Sequence, residues 1–145
     1  MVLVRHAKAE AGEGSDDHDR RLTARGQADA AAAGQWLADN VPRPDRVWCS
    51  SAVRAHQTWT AAAASLPGAP APERDRALYL AGTRDLLERI EGAAAGVTVV
   101  VGHNPTMEMA LAALVGDQRG MKTGAVAVID LGPPARLLDF WSPRH

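Results

Sequence analysis

The chain has 145 residues, 16 basic against 17 acidic side chains and a formal net charge of −1, so composition offers no basic surface for nucleic acid. Its length suits one domain over residues 1–145, and its one cysteine, Cys49, excludes an internal disulfide. Because it shows neither a signal peptide pattern nor an apolar run of about 20 residues, we expect a cytoplasmic domain without a membrane partner.

The first predicted elements are a short buried strand over Val2–Val4 and a polar loop over Glu10–Arg21. A helix is predicted over Leu22–Asn40, with Thr23 as its candidate cap. Small or apolar side chains recur along this helix at helical spacing, which would let it lie close to a sheet. They are Gly26, Ala30, Ala33 and Leu37.

A second strand and helix follow the first pair. The strand is predicted over Val47–Cys49, with Ser50 or Ser51 offering a cap oxygen to a helix that reaches about Leu66. After this helix comes a connection rich in proline and glycine, which we interpret as a turn within the domain and not as a linker between domains.

The middle of the chain contains one weak and one strong strand pattern. A weak extended segment is predicted around Leu78 and Tyr79, and Thr83 is predicted to cap a further helix. Val97–Val101 is short, β-branched and bounded by glycines, which is typical of a strand buried on both faces.

The last part of the chain predicts a turn, a helix and two strands. Asn104 suits the cap of the helix and Pro105 its first position. The closing strands are predicted over Ala125–Leu131 and Leu137–Trp141, joined by a short turn that would make them antiparallel. Strands that alternate with helices predict an α/β domain, built as three layers of helix, sheet and helix around a largely parallel sheet.

Four polar residues follow the predicted strands. Arg5 and His6 come directly after the first strand, Arg54 lies early in the helix after the second, and His103 follows the third. Open α/β sheets bind ligands beyond the carboxyl ends of their strands, so these four side chains could converge on one crevice.

These residue types suit a phosphoryl group. Guanidinium groups make bidentate, permanently charged contacts to phosphate oxygens, and helix N-termini add oriented N–H groups. A neutral imidazole is a competent nucleophile, and a second, protonated imidazole can stabilise phosphoryl charge. The Cys-X5-Arg loop of the cysteine phosphatases is missing, since Cys49 has no arginine six residues later. The sequence shows no P-loop pattern either.

Four segments resemble the motifs of a known family, in the same order along nearly the whole chain. Leu3–Lys8 resembles the signature of the histidine phosphatase (phosphoglycerate mutase-like) superfamily. Three further segments are similar to motifs of its SixA-type phosphohistidine phosphatases, namely Asp19–Gly26, Cys49–Thr58 and Val101–Pro105. This resemblance implies a phosphoglycerate mutase-like fold. One departure is Ala7, which stands where the family usually has glycine.

The resemblance also implies roles for individual residues. His6 would be the phosphorylated nucleophile, and Arg5, Arg54 and His103 would complete the phosphate pocket. Arg20 would reach the same phosphate from its loop. The implied mechanism requires neither a metal nor an organic cofactor.

A general acid is not evident in the sequence. Larger superfamily members carry a glutamate acid in an insertion, but the matching stretch here, Arg76–Gly82, has no carboxylate. Asp16, Asp17 and Asp19 are loop alternatives, and the sequence does not select among them. Cleavage of a phosphate ester benefits strongly from an acid, whereas a phosphohistidine releases imidazole, a better leaving group. The expected substrate is therefore phosphohistidine on a protein.

Other interpretations stay open at this point. The chain could be a broad phosphomonoesterase acting on small metabolites, or a non-catalytic module that binds phosphoryl groups on a partner protein. The remaining histidines of the first half, His18 and His56, are expected at the surface. Lys8 lies beside the site, where it could serve only to attract anions. We expect Cys49 to be a buried strand residue and not a reactive thiol.

Overall fold

The computed structural model describes residues 1–144, which form six strands, five α-helices and a short 3₁₀ turn over Asp17–Asp19. The strands are β1 (Val2–Arg5), β2 (Arg46–Ser50), β3 (Glu73–Asp75), β4 (Thr98–Gly102), β5 (Val126–Asp130) and β6 (Arg136–Trp141). The helices are α1 (Ala24–Asn40), α2 (Val53–Ala63), α3 (Arg76–Leu80), α4 (Thr83–Glu91) and α5 (Thr106–Val115). In this part of the chain, each helix is too short or too polar to cross a membrane.

All six strands form one sheet, in the order β3-β2-β4-β1-β5-β6. The first four strands of that order are parallel, and β5 and β6 add an antiparallel pair at one side. The predicted largely parallel sheet with an antiparallel closing pair is confirmed. Arg5 pairs with Gly102, and Cys49 pairs with Val101, so the carboxyl ends of β1, β2 and β4 lie at the same edge.

Alternate residues of the central strands enter two separate hydrophobic clusters. Val2 and Val4 lie in the cluster beneath α1 and α2, whereas Leu3 lies in the cluster beneath α4 and α5. β4 divides in the same way, with Val100 on the side of Leu3. Full burial of each such side chain contributes about 1.5–3 kcal/mol, which explains the unbroken apolar runs Val2–Val4 and Val99–Val101. The three-layer build is confirmed.

Helix α1 approaches its neighbours closely through two glycines. Thr23 caps the helix as predicted, because its hydroxyl accepts a hydrogen bond of 3.0 Å from the N–H of Gly26. A side chain at Gly26 would overlap the backbone of Lys8, and one at Gly34 would overlap the backbone of Ala62 in α2. The small residues of this helix therefore allow contact with the loop after β1 and with α2, in addition to the sheet.

The extended segment predicted at Leu78 and Tyr79 is wrong. These residues lie in α3, and the strand of this region, β3, comes earlier at Glu73–Asp75. Asp75 ends the strand and begins the helix, because its carboxylate accepts a hydrogen bond of 2.8 Å from the N–H of Ala77. One helical turn then turns the Leu78 side chain into the core.

The predicted cap of α2 is also wrong. Ala52 occupies the cap position, and α2 ends at Ala63 instead of Leu66. Ser50 makes only a local bond, in which its hydroxyl oxygen accepts from the N–H of Ala52 at 3.2 Å. Its stronger partner is His103, and this contact belongs to the site described below.

Two other caps differ from prediction by one position. Thr83 is the first residue of α4 and Gly82 its cap, while the Asp85 carboxylate accepts from the N–H of Gly82 at 3.1 Å. Helix α5 begins at Thr106, with Pro105 at the cap position, while the side-chain oxygen of Asn104 accepts from the N–H of Glu108 at 3.3 Å, so Asn104 does cap this helix from one residue earlier. In both helices the side chain that bonds an N–H at the helix start stands outside the cap position itself, so residue type alone did not locate that position.

Replacement of Gly34 by alanine tests the close packing of α1 on α2. An alanine inside a helix normally stabilises it by about 1 kcal/mol relative to glycine. Here we expect the opposite sign, a loss of about 1–3 kcal/mol in the free energy of unfolding, because the new methyl group would overlap the Ala62 backbone. Urea denaturation measures the change. Gly92→Ala is the control, since its nearest contact would be 3.7 Å away, and a stabilised Gly34→Ala would contradict the packing.

Candidate active site

Three strand ends bring four of the predicted residues together. His6 follows β1, and its backbone N–H donates to the carbonyl of Gly102 at 3.0 Å, immediately before His103. The rings of His6 and His103 lie 5.2 Å apart between centroids. Arg5 and Arg54 are close enough for their charges to act on both histidines. The sheet edge therefore holds two imidazoles and two guanidinium groups in one cluster.

His6 is held in a single tautomer. His6 is only 8% exposed. Its Nδ1 lies 2.8 Å from the carbonyl oxygen of Ala7, and a carbonyl oxygen can only accept a hydrogen bond. Nδ1 must therefore carry the proton, which leaves the lone pair of Nε2 free. Burial lowers the pKa of His6 to about 3. The hydrogen bond to the Ala7 carbonyl raises this pKa, whereas the positive charges of His103 (when protonated), Arg54 and Arg5 lower it further. The imidazole is neutral at neutral pH.

Thr58 of α2 fixes the backbone next to His6. Its hydroxyl accepts from the N–H of Ala7 at 2.9 Å and donates to the carbonyl of Arg54 at 2.7 Å. On the other side, the N–H of Gly124 donates to the carbonyl of His6 at 3.0 Å. One threonine thus ties the nucleophile-bearing loop to the helix that carries Arg54.

Arg54 is oriented by Asp17. The guanidinium is buried and donates to the Asp17 carbonyl at 2.7 Å and to its carboxylate at 3.0 Å. The same carboxylate accepts from the Tyr79 hydroxyl at 2.7 Å and from Arg20 at 3.0 Å. These bonds, that of Tyr79 above all, hold the pKa of Asp17 well below its usual range. Asp17 is a carboxylate that positions cations.

Arg5 is oriented indirectly by a second acidic side chain, that of Glu108, which acts through Met121. Arg5 donates to the backbone carbonyl of Met121 at 2.9 Å. Asn104 donates to that same carbonyl at 2.9 Å and to the Glu108 carboxylate at 3.0 Å, and this carboxylate accepts from the Met121 N–H at 3.1 Å. Burial lowers the pKa of Arg5, and the charge of Glu108 opposes that shift. Glu108 therefore anchors the loop against which Arg5 rests.

His103 is bonded at one nitrogen and unpartnered at the other. Its Nε2 lies 2.7 Å from the hydroxyl oxygen of Ser50, and burial lowers its pKa to about 4. Among residues 1–144, three buried side-chain nitrogens have no hydrogen-bond partner, and all three belong to this cluster. They are Arg5 Nε, Arg54 Nε and His103 Nδ1. Buried polar nitrogens without partners are costly, so their presence calls for an explanation such as a ligand.

Metal ligands are not grouped here. Over the described residues, no three histidine, cysteine or acidic side chains are placed to hold an ion together. Cys49 lies in the same sheet, but it is buried and burial raises the pKa of its thiol to about 12. It is a core residue of β2, as predicted.

Comparison with known proteins identifies the family. Residues 1–79 match the model of the histidine phosphatase superfamily (branch 1), and this stretch contains Arg5, His6 and Arg54. The chain belongs to the histidine phosphatase superfamily. An uncharacterized protein of Mycobacterium tuberculosis is 43% identical over 105 residues, which make up 71% of this chain and 64% of that relative. The chain thus spans less than two thirds of that relative.

Two solved structures place this superfamily member in the SixA type. A candidate phosphohistidine phosphatase SixA from Agrobacterium tumefaciens is 34% identical, with a TM-score of 0.89 over 98% of this chain and 96% of that one. A second, from Nakamurella multipartitia, is 32% identical with a TM-score of 0.82, over 98% and 95% of the two chains. The family and the fold implied by the four sequence motifs are confirmed.

The structure separates Arg20 from the other predicted pocket residues. Arg20 donates to the carbonyl of Glu10 at 2.7 Å and to Asp17, so it meets the pocket only through Asp17. Of the three loop aspartates, Asp17 is the one bonded to Arg54. His18 is half-buried, not a plain surface residue, and lies at the rim beside Tyr79 and Ser51.

The residues that support the cluster do not stand out in the sequence. Tyr79 falls in the segment predicted to be extended, and Glu108 lies on α5, outside the four motifs. The sequence pattern indicates Ser50 only as a helix cap. Ser50 and Thr58 do fall inside the segment that carries Arg54, so that segment contained a signal for them.

The depressed pKa of His6 makes stability depend on pH. The unfolded chain takes up a proton near pH 6.5, whereas folded His6 does so near pH 3, so stability decreases as pH falls through this window. Between pH 7 and pH 5, His6 alone should reduce the free energy of unfolding by about 2 kcal/mol. Denaturant titrations of the wild type and of His6→Asn at both pH values measure this difference. Equal losses in both proteins would show that His6 is not buried as a neutral imidazole.

Proposed function

We propose that this chain is a phosphatase that transfers a phosphoryl group to His6 and then to water. The observation that carries the proposal is the state of His6, a neutral imidazole with its Nε2 lone pair free beside two guanidinium groups and a second imidazole. A nucleophile of this kind needs no base to activate it, and the surrounding cations suit a phosphoryl group.

The unpartnered nitrogens support a ligand with several acceptor oxygens. Arg5, Arg54 and His103 each have one buried nitrogen without a partner, and a phosphoryl group offers three oxygens close together. Neutral His103 would gain a proton when such a dianion binds, because the negative charge raises its pKa from about 4. It would then stabilise the charge of the transferring group.

The reaction would consist of two displacements at phosphorus. In the first, a bond forms between His6 Nε2 and phosphorus while the bond to the leaving group breaks, and the leaving group departs with the bonding electrons. In the second, a water oxygen forms a bond to phosphorus while the bond between phosphorus and His6 Nε2 breaks, and the bonding electrons return to the imidazole. A proton from the water passes to solvent, inorganic phosphate is released and neutral His6 is restored. Arg5, Arg54 and His103 would hold the phosphoryl oxygens during both steps.

We propose phosphohistidine on proteins as the preferred substrate, because neither Asp17 nor Tyr79 can readily give a proton to the leaving group, and a proton gained by His103 would be held against the phosphoryl oxygens. Asp17 has a pKa well below its usual range and is committed to Arg54, Arg20 and Tyr79, so it holds no proton to donate. The Tyr79 hydroxyl already donates to Asp17, and this bond raises its pKa. An imidazole leaving group can be protonated by solvent, whereas an alkoxide needs a proton from the enzyme. The likeness to SixA-type structures agrees with this choice.

Covalent trapping tests the nucleophile. A brief reaction with labelled aryl phosphate, followed by denaturation, should leave acid-labile, base-stable label on a peptide containing His6. His6→Ala should reduce turnover by at least about 10³-fold, since the other imidazole of the cluster, His103, would be engaged with the phosphoryl oxygens. His56→Ala is the matched control, because this half-buried histidine of α2 lies outside the cluster. Label on a serine or on Cys49 would contradict the mechanism.

Dependence on the leaving group tests the substrate. Without a general acid, the rate should fall steeply as the pKa of the leaving group rises, so that phosphohistidine and aryl phosphates react far faster than alkyl phosphates. The measurement is kcat/KM across esters of graded leaving-group pKa. Asp17→Asn should lower all rates by loosening Arg54 while leaving the slope unchanged.

The same measurement separates the alternatives. A flat dependence in the wild type that becomes steep in Asp17→Asn would identify Asp17 as the acid and favour a phosphomonoesterase of small metabolites. Tight tungstate binding without turnover of any ester or phosphohistidine would identify a module that binds phosphoryl groups without catalysis. Asp16→Asn is the control, since its side chain makes no cap bond at the 3₁₀ turn that it precedes.

A further inference from the structure

A groove rich in positive charge opens beside Arg5. It has a volume of about 370 Å³, and four of its six lining residues are cations while one is an acid. The lining residues are Arg5, Lys8, Arg25, Asp29, Lys122 and Thr123. Since Arg5 also belongs to the phosphoryl cluster, the groove adjoins the candidate active site at this residue.

Both lysines of the chain lie in this groove. Lys8 and Lys122 are 114 positions apart in the sequence, and the other 14 cationic residues are arginines. Both lysines are exposed. Their ammonium groups can therefore meet a partner from solvent, in contrast to the buried guanidinium of Arg54.

The backbone under both lysines is fixed by the site itself. Lys8 is two residues beyond His6, and its carbonyl accepts from the N–H of Thr23 at 2.9 Å. Lys122 follows Met121, whose N–H and carbonyl are bonded to Glu108, Asn104 and Arg5. The backbone positions from which the two lysine side chains extend are therefore fixed relative to His6.

We propose that this groove docks an acidic segment of the protein substrate, next to the phosphohistidine that enters the site. This inference rests on the proposed function, because it concerns the polypeptide around the same phosphoryl group. Carboxylates of the segment would pair with Lys8 and Lys122 while the phosphoryl group occupies the cluster of Arg5, Arg54 and His103.

The chemistry of the groove favours carboxylates on an extended, flexible chain. Exposed ammonium groups act as mobile point charges, and they suit partners of loosely defined geometry better than one ligand of fixed shape. Each exposed ion pair contributes a factor of roughly 1.5 to 5 in affinity, and salt screens it. The groove would therefore act mainly on association and selectivity, while the buried cluster provides the chemistry.

Three phosphohistidine peptides test the docking groove. They carry acidic, neutral or basic flanking residues around the same phosphohistidine, and kcat/KM is measured for each at low and high salt. The wild type should prefer the acidic over the neutral peptide by about five-fold at low salt, with a smaller preference at high salt. The double variant Lys8→Gln with Lys122→Gln should hydrolyse the two peptides at nearly equal rates.

A matched surface variant controls for charge in general. Arg136→Gln removes an exposed cation from β6, and it should keep the preference of the wild type. Equal rates for all three peptides in the wild type, or a preference that persists in the double variant, would overturn the docking groove and leave the phosphohistidine activity standing. If aryl phosphate were hydrolysed but none of the peptides, the proposed substrate and the groove would both be wrong.

Discussion

The parallel pairing of β1 with β4 places the chemistry of this protein. The pairing ends where Arg5 lies opposite Gly102, and the N–H of His6 bonds to the Gly102 carbonyl just beyond it. Two chain segments almost 100 residues apart therefore leave the sheet side by side, and their first residues outside it are His6 and His103. Because both strands are buried on both faces, a shift in register would expose or misplace a valine or leucine at nearly every position.

The second constraint is the concentration of positive charge at this edge. Arg5 and Arg54 lie beside two histidines whose burial already disfavours protonation, so both imidazoles are neutral. Two carboxylates compensate the arginines: Asp17 accepts directly from Arg54, whereas Glu108 accepts from the N–H of Met121, whose carbonyl accepts from Arg5. Each acid orients its guanidinium and offsets part of its charge. The cost of this cluster is visible in the three buried nitrogens without partners.

Helices and loops outside the motifs give the site its shape. Thr58 joins the loop after β1 to α2, and the hydroxyl of Tyr79 in α3 donates a hydrogen bond to Asp17. The loop that contains Met121 contributes a carbonyl to Arg5 and carries Lys122 into the groove. The buried cluster suits any phosphoryl group, so selection among substrates would depend on these surrounding elements.

The sequence by itself determined the central strands and the close-packed helix α1. It also predicted that Arg5, His6, Arg54 and His103 converge at one edge of the sheet. Apolar runs report burial on both faces, and the polar residues that follow them stand at a sheet edge in any α/β fold. Tertiary structure alone decided which acid bonds to Arg54, that Arg20 bonds to Asp17 and Glu10, and that the two lysines line one groove. The sequence does not distinguish Asp17 from Asp16 and Asp19. Only the contacts of Asp17 with Arg54 and Tyr79 do so. Lys8 and Lys122 are 114 positions apart, so no local pattern could place them in one groove, whereas packing of the loops against one sheet edge does.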